Sequence, residues 1–217
     1  MKNKKILLLL TVIELVLILL EIYLDFFLPT IVILVFGLAF LFIRKEGFGS
    51  LGFKRTEKPL KLIFTILGIA VIWTAVDFGL VLPILNHLTG LKRDVSAFAD
   101  IKGSLGQLLI FLGLSWTLAA FGEELAYRGF LQTRIGNLLG DSKASLIISV
   151  VISSALFGFV HREQGIVGII TTFIDALFYS FIRFKFKNIW ASVLAHGFMN
   201  SIGVITFFFT GPLYGLW

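Results

Sequence analysis

Seven apolar runs constrain this chain more than any other feature: roughly residues 6–23, 27–43, 62–86, 107–125, 144–161, 166–183 and 188–209. A helix rising 1.5 Å per residue needs about 20 apolar residues to cross a hydrocarbon core of about 30 Å. The runs therefore predict an all-α fold: a multi-pass transmembrane helical bundle of about seven spans, with six to eight as the range. Charged residues make up 15% of the chain, against about 25% in an ordinary soluble domain, and no polar stretch is long enough to build one. Two parts are expected: residues 1–104, N-terminal helices with a basic loop, and residues 105–209, a second helical core.

The opening "MKNKKILLLLTVIELVLILL" has the basic start and apolar stretch of a signal peptide. It lacks a small-x-small cleavage site and is interrupted by Glu14, so it reads as a retained first span. The connection "RKEGFGSLGFKRTEKPLK" (44–61) is the most basic, and with "KNKK" it orients the bundle by the positive-inside rule. The N-terminus, 44–61, 127–143 and 183–187 are then cytoplasmic, in a multi-pass protein of the cell membrane. The connection 87–106 has mixed charge and supports the scheme poorly. The net charge of +6 follows from these loops and does not point to nucleic acid. The chain has no cysteine, which excludes disulfides and thiolate chemistry.

Against this background the polar residues fall into three islands. The first, "FGEELAYRGF" (121–130), places two carboxylates and an arginine after an apolar run. On an α-helix, Glu124 and Arg128 are four apart and about 40° round the axis, in the favourable order for an ion pair. Glu123 is about 140° from Arg128 and should project elsewhere. The second island, "FGFVHREQG", carries His161 one turn after Phe157. The third, "WASVLAHGFMNSIG", puts His196 and Asn200 on one face. Alone, each has an ordinary reading: a juxtamembrane charge cluster, an interfacial histidine, an interhelical hydrogen bond. Glu14 and Glu21 share a face of the first helix and read as packing or interface; His87 reads as loop surface.

Spacing lets the islands meet. Glu123 lies about 18 residues before the "GDSK" turn (140–143) and His161 about 19 after it, so antiparallel helices would level them. His196 is harder to level with His161, because they lie at different depths of their spans. Tilt or a re-entrant segment at 107–122 would be needed. Brought together, a carboxylate, two imidazoles and a carboxamide suffice for hydrolysis. A Glu and a His can hold and deprotonate water, and a His–Asn pair can stabilise an oxyanion.

Glu-Glu-x-x-x-Arg (Glu123, Glu124, Arg128), Phe-x-x-x-His (Phe157, His161) and His-x-x-x-Asn (His196, Asn200) occur in that order. The combination resembles the CAAX protease and bacteriocin-processing (CPBP, or Abi) family of intramembrane endopeptidases, over about residues 105–205. The resemblance implies that Glu123 activates the attacking water with His161. His196 and Asn200 would support the oxyanion, and Glu124 with Arg128 would hold the site in shape. It implies an endopeptidase acting on membrane-associated peptides or proteins, in peptide or bacteriocin maturation or in self-immunity. The other class of reading is a non-catalytic immunity or binding protein, or a small proton-coupled carrier. The family has been described both as glutamate-dependent and as metallo-type. Glu123, His161 and His196 could supply three zinc ligands. Asn200 on the His196 face fits the oxyanion role better, so the expectation is that no cofactor is required. The expected partners are the lipid bilayer and a membrane-associated substrate.

Overall fold

The computed structural model describes residues 4–24, 29–140 and 142–211. These are mostly helical and contain no strand. Each expected apolar run has its helix: α1 (Lys4–Leu24), α2 (Pro29–Arg44), α3 (Pro59–Thr89), α4 (Leu105–Leu139), α5 (Lys143–Phe159), α6 (Gly165–Phe186) and α7 (Ile189–Thr210). Five are long and apolar enough to cross a membrane; α2 and α5, of 16 and 17 residues, are shorter. His87 lies exposed in the last turn of α3 rather than in a loop, because that helix runs three residues further than expected.

Helix starts follow side-chain capping. The Oγ of Ser104 accepts from the N–H of Gln107, Ser142 from Ser145, and the Oδ1 of Asn188 from Trp190, each satisfying a first-turn donor that has no helical partner. Two helices depart from the α register. In α3 a π turn covers Asp77–Val81, next to Pro83, which lacks the N–H that a regular ladder needs. In α4 the π register runs from Ser115 to Gln132 within one continuous helix of 35 residues. No re-entrant break occurs at 107–122.

The two ends of the bundle are stitched differently. At the end carrying the 45–58 connection, Asn188 binds the backbone carbonyl of Lys54 and the hydroxyl of Thr56, both at 3.0 Å. Arg183, expected as a loop cation, is instead a buried residue of α6. It donates to the carbonyls of Arg128 and Leu51, to Gln132 Oε1 at 2.9 Å and to Thr133 Oγ1 at 3.1 Å. Glu14, fully buried in α1, receives Arg134 of α4 at 2.9 Å and Arg44 of α2 at 3.5 Å. The Glu14 face of α1 is thus a packing face. At the other end, Asp94 N–H bonds the carbonyl of Gln164, and Gly103 N–H bonds that of Phe208, at 3.0 Å each. This ties the 90–104 connection to the α5–α6 turn and to the end of α7.

Two glycines set helix spacing beside the polar islands. A Cβ on Gly197 would sit 2.5 Å from the Trp116 ring, and one on Gly158 would sit 2.7 Å from the Ile169 carbonyl. The first lets α7 close on α4, and the second lets α5 close on α6. Gly158→Ala is expected to lower the thermal midpoint, by about 1–3 kcal/mol of stability, because backbone cannot move aside. Gly68→Ala in α3, where a Cβ meets nothing within 4 Å, should hold or raise it. Thermal unfolding of both variants in detergent checks the contrast; equal losses would mean that close helix approach is not what Gly158 provides.

Candidate active site

In the π register of α4, backbone bonds span five residues, so positions five apart come one turn above each other. Glu123 and Arg128 are five apart, Glu124 and Arg128 four. Both carboxylates therefore lie on the side of the helix facing α7. The expected split holds in the pairing, since Arg128 meets Glu124 while Glu123 meets His196 and the cavity; only the angle between them differs from that of 3.6 residues per turn. Both reach the same imidazole. Glu124 Oε1 is 3.1 Å from His196 Nδ1, and Glu123 Oε2 is 3.8 Å from His196 Nε2.

Glu124 has no exposed side-chain surface, and Arg128 Nη1 lies 3.1 Å from its Oε1, so the expected i,i+4 pair is present and buried. The Arg128 guanidinium also stands 4.4 Å from the centre of the Phe157 ring and 5.4 Å from that of Tyr179. Cation–π attraction at a dry site adds to the ion pair. Tyr179 stacks on His196, ring centres 4.5 Å apart and 11° between planes. The ring is thus fixed by Glu124 at one edge and by Tyr179 on one face. An ionised carboxylate only accepts, so Nδ1 carries the proton shared with Glu124.

His161 sits in the turn after α5. Its Nδ1 is 2.8 Å from the carbonyl oxygen of Phe157, and only an N–H can bond there. The neutral ring therefore keeps Nε2 as an acceptor. Phe157 lies between the two histidines, with ring centres 4.8 Å from His161 and 6.2 Å from His196. Despite their different depths along α5 and α7, both rings reach the same cavity. Glu123, His161, His196 and Asn200 line one cavity of about 320 Å³. Glu124 and Arg128 stand behind its wall. Among the described residues no group of three or more His, Cys, Asp or Glu side chains is gathered to hold a metal ion.

The cavity contains residues that motif spacing did not single out. Asp77 and Asp175 line it, and Trp73 donates its indole N–H to Asp175 Oδ1 at 2.9 Å. Their signal was present, since carboxylates inside apolar spans are costly. What was lacking was any way to know that α3 and α6 face the same space. Arg93, Phe98 and Gln164 line the cavity toward the end that carries the 90–104 connection.

The fold and this site define a helical membrane protein with a carboxylate–imidazole cluster inside its bundle. Residues 105–202 match the family model of the type II CAAX prenyl endopeptidases, Rce1-like, in agreement with the resemblance carried by the three motifs. The match is a likeness over that segment to CAAX-type intramembrane endopeptidases. No curated protein and no solved structure matches the chain.

Glu124→Gln is expected to destabilise the protein by roughly 3–5 kcal/mol, because it strands a buried guanidinium. Glu123→Gln should leave stability nearly unchanged, since its side chain is 17% exposed and touches only one imidazole edge. Thermal midpoints of the two purified variants test this; a Glu124→Gln protein as stable as its parent would remove the structural role assigned to the ion pair.

Proposed function

We propose that the protein hydrolyses peptide bonds of membrane-associated peptides or proteins, with Glu123 as general base. The observation that carries this reading is the convergence of Glu123, His161, His196 and Asn200 on one cavity, within the segment that matches an endopeptidase family. Water held between Glu123 and the free Nε2 of His161 gives its proton to Glu123 and attacks the carbonyl carbon. The developing oxyanion takes hydrogen bonds from Asn200 NH₂ and from His196, which in its doubly protonated form donates from Nε2 while Nδ1 stays on Glu124. Glu123 then returns the proton to the departing amine, and the C–N bond breaks. Glu124, Arg128 and Tyr179 position His196 and touch no reacting atom. Asn200 beside His196 supports a metal-free mechanism, because a carboxamide suits an oxyanion better than a zinc ion. Peptide or bacteriocin maturation and self-immunity are the roles that fit a membrane-associated substrate.

The substrate's approach is part of the same proposal. Lys45, Lys54, Arg55, Lys58, Lys61, Lys143, Lys185 and Lys187 gather at one end of the bundle; Lys92, Arg93, Lys102 and Arg162 are at the other. The positive-inside rule makes the first end cytoplasmic. The cavity is lined toward the second end, so substrate enters from the non-cytoplasmic face.

Three measurements test these points. Cleavage of a membrane peptide should be lost in Glu123→Gln and should fall about 10²–10³-fold in kcat in Asn200→Ala, with little change in binding. Stoichiometric zinc in the parent protein, absent from His196→Ala, with inactivation by chelator, would replace this mechanism by a metal-dependent one. Because the chain has no cysteine, single-cysteine labelling is free of background. Ala97→Cys should react with an impermeant maleimide on intact cells, and Ser50→Cys only after permeabilisation; the reverse pattern would invert the proposed entry side.

A further inference from the structure

Two Thr-x-x-Asp segments line the same cavity from different helices: Thr74 and Asp77 on α3, Thr172 and Asp175 on α6. Residues three apart share a helix face, so each segment offers a hydroxyl and a carboxylate together. Thr74, Asp77 and Thr172 are 6%, 3% and 5% exposed, yet Thr74 Oγ1, Asp77 Oδ1 and Thr172 Oγ1 have no hydrogen-bond partner among the described residues. Buried polar groups are normally paired, and leaving them unpaired costs about 1–3 kcal/mol each. Asp175 is bonded at Oδ1 by the indole of Trp73, which orients it. Neither carboxylate forms an ion pair among the described residues. Arg93, the cation that lines the cavity nearby, is held through its Nε by Gln164 Oε1 at 2.7 Å. Two carboxylates and two hydroxyls facing one space form an acceptor-rich wall, with Arg93 in the same cavity but in no ion pair with either carboxylate among the described residues.

From this juxtaposition we infer that the Thr74–Asp77 and Thr172–Asp175 pairs form a subsite that binds the ammonium of a lysine side chain near the bond to be cut. An ammonium has three donors and no acceptor, which matches carboxylate and hydroxyl oxygens. The flanking apolar lining, Phe78 and Val204 among it, suits the four-carbon stem. This inference rests on the hydrolase reading for its substrate, but its binding test does not require turnover.

The test uses the full chain in lipid nanodiscs carrying Glu123→Gln, and labelled membrane peptides read by fluorescence anisotropy. The peptides differ only in one residue, lysine or norleucine, moved through the positions flanking the cleaved or central bond. At one position lysine should bind about 10–100-fold more tightly than norleucine, the range expected for hydrogen bonds to a charged group. Adding Asp77→Asn or Asp175→Asn should reduce that ratio to about threefold or less while norleucine binding is kept. Should an Asp variant fail to fold, Thr74→Val with Thr172→Val, which keeps both carboxylates, should still lower the ratio several-fold. Equal affinity for the two peptides at every position, or a lysine preference that survives all these variants, overturns the subsite. Lysine-selective binding in a protein whose Glu123 parent cuts nothing would sink the hydrolase reading and leave the subsite standing.

Discussion

The contact on which the site's geometry depends is the carboxylate of Glu124, held in a dry interior between the Arg128 guanidinium and the His196 imidazole, at 3.1 Å from each. A buried carboxylate without such partners would cost several kcal/mol, and far more in the apolar core of a membrane bundle. Satisfying it draws four helices together. Arg128 lies over Phe157 of α5 and Tyr179 of α6, while His196 comes from α7. Once His196 is fixed at Nδ1 by Glu124 and on one face by Tyr179, its Nε2 edge is left toward Glu123 and the cavity. On the proposed reading, the residue that meets the reacting atoms is thereby oriented by one that does not.

The remaining buried ions serve a different purpose. Arg134 and Arg44 converge on Glu14, and Arg183 ties α6 to the carbonyl of Arg128 and to the 48–51 turn. These bonds lie toward the end of the bundle that carries the basic loops. They link α1, α2, α4 and α6 where no cavity of the Glu123 site reaches. The opposite end is joined by backbone bonds such as Asp94 to Gln164, by the side-chain bond of Arg93 to Gln164 and by the packing of Phe98 on Phe111 and Phe207, and it is there that the cavity is lined by loop residues.

Much of this was legible in residue spacing, and the failures have physical causes. Apolar run length located all seven helices, because a spanning helix has to satisfy its own backbone and needs a minimum length to do so. Motif spacing brought Glu123 and His161 to one level, since antiparallel arms of equal length bring equidistant residues together; His196 and Asn200 line the same cavity although residue spacing alone did not level them. The pairing of Glu124 with Arg128 was legible, but the angle of Glu123 was not, because it depends on the helical register: i,i+4 logic assumes α geometry, and nothing in "SWTLAAFGEELAYRGFLQ" announces five-residue bonding. Arg183 was misplaced because the sequence shows a cation near a helix end, whereas its partners, Leu51, Arg128 and Gln132, are 51 or more residues away. The pairing of Asp77 with Asp175 across the cavity needed the packing of α3 beside α6, which no local pattern encodes.

The division of the cavity between parts of the chain bears on how chemistry and selection are separated. Glu123, His161, His196 and Asn200 all fall inside residues 105–202, the segment that matches the endopeptidase family. Thr74, Asp77, Arg93 and Phe98 fall outside it and line the same cavity. A carboxylate–imidazole cluster that polarises water and an amide is indifferent to the side chains flanking that amide. Discrimination has to come from walls further out, and there one missing charge or hydrogen bond changes binding more than one missing methylene does. On the proposed reading, α3 and the 90–104 connection supply those walls. Exchanging them while residues 105–202 are kept would then change which peptide is cut before it changes how the bond is broken.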